Sequence, residues 1–218
     1  MAEHVQHKFF TAQLILWTAI CLAVALGPIA VGKSTELLRP LVWLAVVLGY
    51  RWFEQRVFTP REIHGKRRSE WLFYSIWTSL AGSIVLPPLE FAFFPRPLSV
   101  PWMVLGVFLA LVGTWLRYQS VKTIGKHFST HIEVRPGHEL VDTGIMSVIR
   151  HPGYSGVMTF TLGCALILQS FWSLLFICLV FWTTQFIRIV HEEEELGENL
   201  PGYREYMKRT KRLIPFVF

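Results

Sequence analysis

The groups best able to do chemistry fall in two short pieces of this chain. One is Q-S-V-K-T-I-G-K-H-F-S-T-H-I-E-V-R-P-G-H-E-L-V-D-T-G-I-M-S-V-I-R-H-P-G-Y-S-G, residues 119–156, and the other is F-I-R-I-V-H-E-E-E-E-L, residues 186–196. Five of the eight histidines lie between residues 127 and 191, clear of the longest apolar runs. Arg188 and Glu192 are four apart, so on a helix they share one face. Such a pair is either an ordinary ion pair worth a few tenths of a kcal/mol or, where other polar groups converge on it, a guanidinium fork poised to hold a carboxylate. The glutamate run is open in the same way, as a solvated helix end or as part of a site. His127 and His131 have the spacing of two metal ligands on one helix face, but no second H-x-x-x-H accompanies them, and no metal is expected. In R-H-P-G-Y, Pro152 suits the first position of a helix, so Pro152 and Gly153 also read as a helix-start device.

Membrane helices must position these groups. Of 218 residues, 52% are hydrophobic and 17% charged, against about 25% charged in a soluble domain. Residues 9–31 carry no charge and are long enough to cross the hydrocarbon core. A second span over 38–58 is weaker, because Arg51, Glu54 and Arg56 follow its apolar half; its far end should snorkel or face other helices. Uncharged runs at 71–89 and 97–116 give two more, separated by a turn over P-P-L-E-F-A-F-F-P-R-P. A polar interruption at 117–151 then precedes 36 uncharged residues, 152–187. One helix of that length would be about 54 Å, too long for a bilayer and a little short for two full crossings, so a tight helical hairpin turning at Gln169-Ser170 fits best. The hairpin would bring Arg150, His151 and Tyr154 at one end close to Arg188, His191 and Glu192 at the other.

With six crossings, 18 of the 21 lysines and arginines share one face, and only Lys33, Arg39 and Arg96 fall on the other. The positive-inside rule then places both termini, both long polar segments and any site they form in the cytoplasm. The net charge of +6 is a consequence of topology, and no nucleic-acid partner is implied. Cys21, Cys164 and Cys178 sit inside apolar runs without C-x-x-C spacing, which argues against a disulfide framework or structural zinc. The N-terminal run lacks the basic start and cleavage pattern of a signal peptide and reads as a retained helix. There is no G-x-G-x-x-G, P-loop, G-x-S-x-G or H-E-x-x-H, so a nucleotide-like cofactor would have to sit on membrane helices and their loops.

The ordered set H-E-L-V (138–141), D-T-G-I-M, R-H-P-G-Y-S-G (150–156), an apolar hairpin, R-x-x-x-E-E-E-E-L (188–196), Y-R-E-Y (203–206) and R-L-I-P resembles the isoprenylcysteine carboxyl methyltransferase family, within the membrane phospholipid-methyltransferase-like group. It covers about residues 115–218. The resemblance implies an all-α, polytopic integral membrane protein of about six transmembrane helices. Residues 1–116 would supply about four N-terminal spans, and residues 117–218 the catalytic region of cofactor loop, hairpin and cytoplasmic tail. It further implies that His138, Glu139, Leu140, Val141, His151, Pro152, Gly153 and Tyr154 line a pocket for S-adenosylmethionine, with S-adenosylhomocysteine as product. Glu192 would contact the cofactor, Arg188 would face the substrate carboxylate, and His131 would be a further cofactor contact. Met146 stands where the family usually has Tyr, which removes a phenolic hydrogen bond.

The implied reaction is methylation of the carboxylate of a prenylated cysteine or similar lipophilic acid drawn from the bilayer, with membrane lipids as surroundings. An amine nucleophile, as in phospholipid methylation, would have to lose a proton and would gain nothing from Arg188. An NADPH-dependent sterol or enone reductase of related fold tends to carry N-Y rather than P-G-Y after R-H. A non-enzymatic transporter or assembly factor would place ionisable groups near mid-bilayer in several helices, whereas these spans are almost bare.

Overall fold

The structure is a computed structural model that describes residues 16–27, 36–57, 70–125 and 139–215. The described residues form helices α1 (Leu16–Gly27), α2 (Leu38–Val57), α3 (Glu70–Phe93), α4 (Val100–Ile124), α5 (Pro152–Leu168), α6 (Phe171–Phe176), α7 (Trp182–Asn199) and α8 (Tyr203–Arg209). A π turn at Ile177–Phe181 joins α6 to α7 in one continuous helix, and a short 3-10 turn occupies Gly144–Ser147. No strand occurs among the described residues; one parallel bridge pairs Ile149 with Lys211. Three helical stretches, Tyr74–Phe93, Val100–Ile124 and Phe171–Asn199, are long and apolar enough to cross a membrane, and Leu16–Gly27 and Pro152–Leu168 are shorter apolar helices.

Helix starts follow local chemistry. Ser99 is extended at the cap of α4 with a proline in the first turn, and His151 caps α5 with Pro152 next, where a missing N–H costs nothing. The turn between α3 and α4 is shorter than the sequence pattern suggests. Pro87 and Pro88 lie inside α3, which runs on to Phe93. Continuation is stabilised from outside the helix, because Ser170 Oγ donates to the Pro87 carbonyl at 2.8 Å and Glu90 receives Trp172 N–H at 3.2 Å and Ser173 N–H at 2.7 Å. An apolar surrounding has no water to satisfy a broken helix, so these bonds favour a Pro-containing helix over a loop. Arg96 Nη1 ties Glu90 at 2.9 Å to the Gln169 carbonyl at 2.5 Å, and Gln169 itself ends α5 in the left-handed conformation. At the other end, α4 extends beyond residue 116 to Ile124 and carries Arg117 to Glu54 of α2, 3.3 Å away.

The closest packing is between α4 and α5. A Cβ on Gly113 would lie 2.5 Å from the Gly156 carbonyl, and one on Gly163 would lie 2.5 Å from the Gly106 carbonyl. Each helix thus presents two glycines seven residues apart, and the pairs meet in antiparallel order. Without a hydrophobic driving force between helices in lipid, such close approach gains its energy from van der Waals contact. Trp43 of α2, Phe91 of α3 and Phe160 of α5 fill the core beside this seam, with Tyr50 stacked on Phe160 at 4.0 Å between ring centroids. The seam fixes the start of α5, and with it the R-H-P-G-Y turn.

Candidate active site

Three separated segments meet at the start of α5. The C-terminal tail runs alongside residues 149–151, with Arg150 N–H donating to the Lys211 carbonyl at 2.8 Å and His151 N–H to the Arg212 carbonyl at 3.0 Å. Ser155 Oγ adds a bond to the Leu213 carbonyl at 2.8 Å. The final R-L-I-P is therefore zipped to R-H-P-G-Y.

A buried carboxylate closes this junction. Glu193 Oε1 accepts Arg150 Nε at 2.8 Å and lies 3.1 Å from His151 Nε2, while Oε2 accepts Arg212 Nε at 2.9 Å and Nη2 at 2.5 Å. Arg150 Nη1 also donates to the Met207 carbonyl at 3.0 Å and to the Thr210 carbonyl. Glu193 is the residue that sequence reasoning missed. Its signal was present: in a helix, adjacent members of E-E-E-E point about 100° apart, so one can be buried while its neighbour is not.

A second cluster lies next to the first. Tyr154 Oη donates to Glu192 Oε2 at 2.5 Å and accepts Arg188 Nε at 2.5 Å, so the phenol stands between the two charges. Arg188 is 9% exposed on α7. Burial, with Glu192 and Glu193 nearby, pushes the Tyr203 phenol of α8 well above its ordinary value, and burial pushes Tyr206 up to about 12. Both phenols stay protonated, and Tyr206 donates to the Met146 carbonyl at 2.6 Å.

Of the residues marked by sequence, the structure brings His151, Tyr154, Arg188 and Glu192 together. Pro152 and Gly153 are buried in the first turn of α5, where a Cβ on Gly153 would meet Ser120 Oγ at 2.9 Å and Arg117 Nη1 at 3.1 Å. Gly153 thus packs against α4. Met146 is buried in the 3-10 turn, which Gly144 opens at φ 58°, a conformation that favours glycine. Leu140 packs against the Leu200, Tyr203 and Tyr206 cluster, Val141 is half-buried and Glu139 is exposed. His191 is not drawn in; it pairs with Glu194 on its own helix at 3.5 Å. His127, His131 and His138 lie outside the described residues. A groove of about 540 Å³ between α7 and α8 is lined by Glu193, Glu194, Arg204, Lys208 and Arg212 among others.

Comparison with known proteins gives this arrangement its kinship. The family model described as "Isoprenylcysteine carboxyl methyltransferase (ICMT) family" matches residues 104–198, which hold α4, R-H-P-G-Y, Arg188 and the glutamate run. Among similar proteins, "Protein-S-isoprenylcysteine O-methyltransferase B" of Arabidopsis thaliana is 32% identical over 59% of this chain and 67% of its own length. The Saccharomyces cerevisiae "Protein-S-isoprenylcysteine O-methyltransferase" is 34% identical over 52% of this chain and 49% of its own, and the Homo sapiens protein of the same name is 30% identical over 59% and 47%. A solved structure titled as the eukaryotic intramembrane Ras methyltransferase ICMT shares the fold, with a TM-score of 0.60 over 92% of this chain and 74% of that one at 21% identity. The ordered motifs, the helical membrane fold and these relatives agree: the chain belongs to the isoprenylcysteine carboxyl methyltransferase family and is a membrane methyltransferase.

Proposed function

We propose that the protein transfers a methyl group from S-adenosylmethionine to the carboxylate of a prenylated cysteine or similar lipophilic acid, at the cytoplasmic face of a membrane that it crosses six times. The observation that carries this reading is Arg188: a buried guanidinium on a membrane helix, steered by the Tyr154 hydroxyl and one turn from Glu192. The donor set fits the cofactor and substrate together, with one acid for an ammonium group and one buried cation for a carboxylate. Glu192, His151, Tyr154 and the 138–141 segment would hold the cofactor, with His131 and Met146 as further contacts. When bound, S-adenosylmethionine supplies an electrophilic methyl group on a cationic sulfur.

The chain's own residues orient and shield. Arg188 holds the substrate carboxylate in a bidentate grip, which fixes the attacking oxygen and needs no general base, because a carboxylate is already deprotonated. The Tyr154 hydroxyl bonds to both Glu192 and Arg188, which fixes the two charged groups relative to one another. Burial of the site between α5 and α7 excludes water and strengthens both electrostatic contacts. The relatives' names supply the substrate class, and a lipid tail enters between helices from the bilayer.

Two features support the six-crossing topology. The uncharged run 152–187 divides at Gln169-Ser170, and His151 just before it lies 3.1 Å from Glu193, six residues past its end. Arg39 and Arg96, on the face assigned as non-cytoplasmic, are paired with Glu36 and Glu90, which cancels their charge there. The test is a labelled methyl-transfer assay on the detergent-purified chain with prenylcysteine analogues and phospholipids. Methyl ester formation is expected, together with thermal stabilisation by S-adenosylhomocysteine but not by NADP; His151→Ala and Glu192→Gln should each weaken S-adenosylhomocysteine binding. Transfer to phospholipid amines alone would overturn the reading.

A further inference from the structure

We infer that Glu54, on α2 in the N-terminal half, sets the charge of the cofactor site and thereby the preference between the sulfonium cofactor and its neutral thioether product. The inference rests on the cofactor reading above. Glu54 Oε1 accepts Tyr50 Oη at 3.0 Å and Arg117 Nε at 3.3 Å, and Oε2 lies 3.8 Å from Arg51 Nη1. Tyr50 is buried and stacked on Phe160 of α5, which ties this carboxylate to the helix that carries R-H-P-G-Y. Arg117 in turn presses on that motif, its Nη1 3.1 Å from where a Cβ on Gly153 would lie.

The start of α5 is therefore crowded with positive charge. Arg117, Arg150, Arg188 and Arg212 surround it, and the helix N-terminus adds its own partial charge. Glu193 is committed to Arg150, His151 and Arg212, and Glu192 to Tyr154. Glu54 is the carboxylate that lowers the field from the α2 and α4 side. A sulfonium feels that field as a full charge, whereas the thioether of S-adenosylhomocysteine does not. Glu54 is a positioning residue for charge and touches neither ligand.

Loss of one negative charge from the surroundings of a bound cation should weaken S-adenosylmethionine binding about three- to tenfold in a medium between protein and water. Dissociation constants for S-adenosylmethionine and S-adenosylhomocysteine would be measured on the full chain in nanodiscs at low ionic strength. Glu54→Gln should raise the first and leave the second nearly unchanged. Arg117→Gln should move the ratio the opposite way, and the double variant should restore it; this series stays informative if Glu54→Gln alone folds poorly. Equal weakening of both ligands, or an unchanged ratio throughout, overturns the inference and makes Glu54 a structural tie. Failure of the unmodified protein to bind either ligand overturns the cofactor reading instead, and the inference with it.

Discussion

Replacing Glu193 by Ala removes the carboxylate that two arginines and a histidine share. The side chain is 3% exposed and its four contacts run from 2.5 to 3.1 Å. Breaking a buried ion pair from one side costs about 3–5 kcal/mol, because the partner's charge stays behind uncompensated. Arg212 is 27% exposed and regains solvent, and Arg150 keeps two backbone carbonyls, so the lower end applies. At about 2–4 °C per kcal/mol for a chain of this size, a loss of about 3 kcal/mol lowers the melting temperature by about 6–12 °C. Glu193→Gln keeps one acceptor for Arg150 and His151 but turns an N–H₂ toward Arg212, so it should recover only part. Glu194, next in the run, is exposed and paired with His191, and Glu194→Ala should cost under about 0.5 kcal/mol. Thermal unfolding of the three variants in one detergent is the assay. A fall of under 2 °C for Glu193→Ala, or equal falls for residues 193 and 194, would refute the assignment of Glu193 as the buried tie.

Arg188→Ala should leave cofactor affinity nearly intact and lower kcat/KM by about 10- to 150-fold, the worth of a charged hydrogen bond, while Arg188→Lys recovers part; unaltered turnover in both would remove Arg188 from the site. Gly113→Ala should destabilise by several kcal/mol in thermal unfolding, since its Cβ would sit 2.5 Å from backbone atoms of α5, whereas Gly49→Ala, with nothing within 4 Å, should be neutral or stabilise by about 0.5–1 kcal/mol. A reporter fused within residues 61–70 should read as cytoplasmic, and an external location would overturn the charge-based topology.

The apolar runs and the ordered motifs were legible because each depends on composition or on neighbours in sequence. The convergence of Tyr154, Arg188 and Glu192 was also legible, since an uncharged run too long for one crossing is expected to fold back and bring its ends together. What stayed hidden depends on distant partners. Pro87 and Pro88 read as turn residues until Ser170 and Glu90 are seen to hold α3 together through them. Gly106, Gly113, Gly156 and Gly163 carry no hydrophobic signal, and their seam exists only once α4 and α5 lie side by side. Glu193 could not be told from Glu192 without knowing which way α7 faces. The tail motif R-L-I-P showed no chemistry of its own, because its task is to bring the Arg212 side chain and the Arg212 and Leu213 carbonyls to residues 150–155.

The π turn at Ile177–Phe181 sets a phase. One extra residue in a helical turn rotates everything downstream by about 100° relative to an uninterrupted α-helix. Upstream, α6 faces the core with Ser173; downstream, α7 aims Arg188 and Glu193 inward and leaves Ile187 and Val190 exposed. Were the same residues wound as an uninterrupted α-helix, Ile187 would take the place of Arg188 and Glu192 that of Glu193, without changing any residue in the site. The wide turn works as a vernier between two scales on one helix: the membrane sets the angle of the first half, and the site sets the angle of the second.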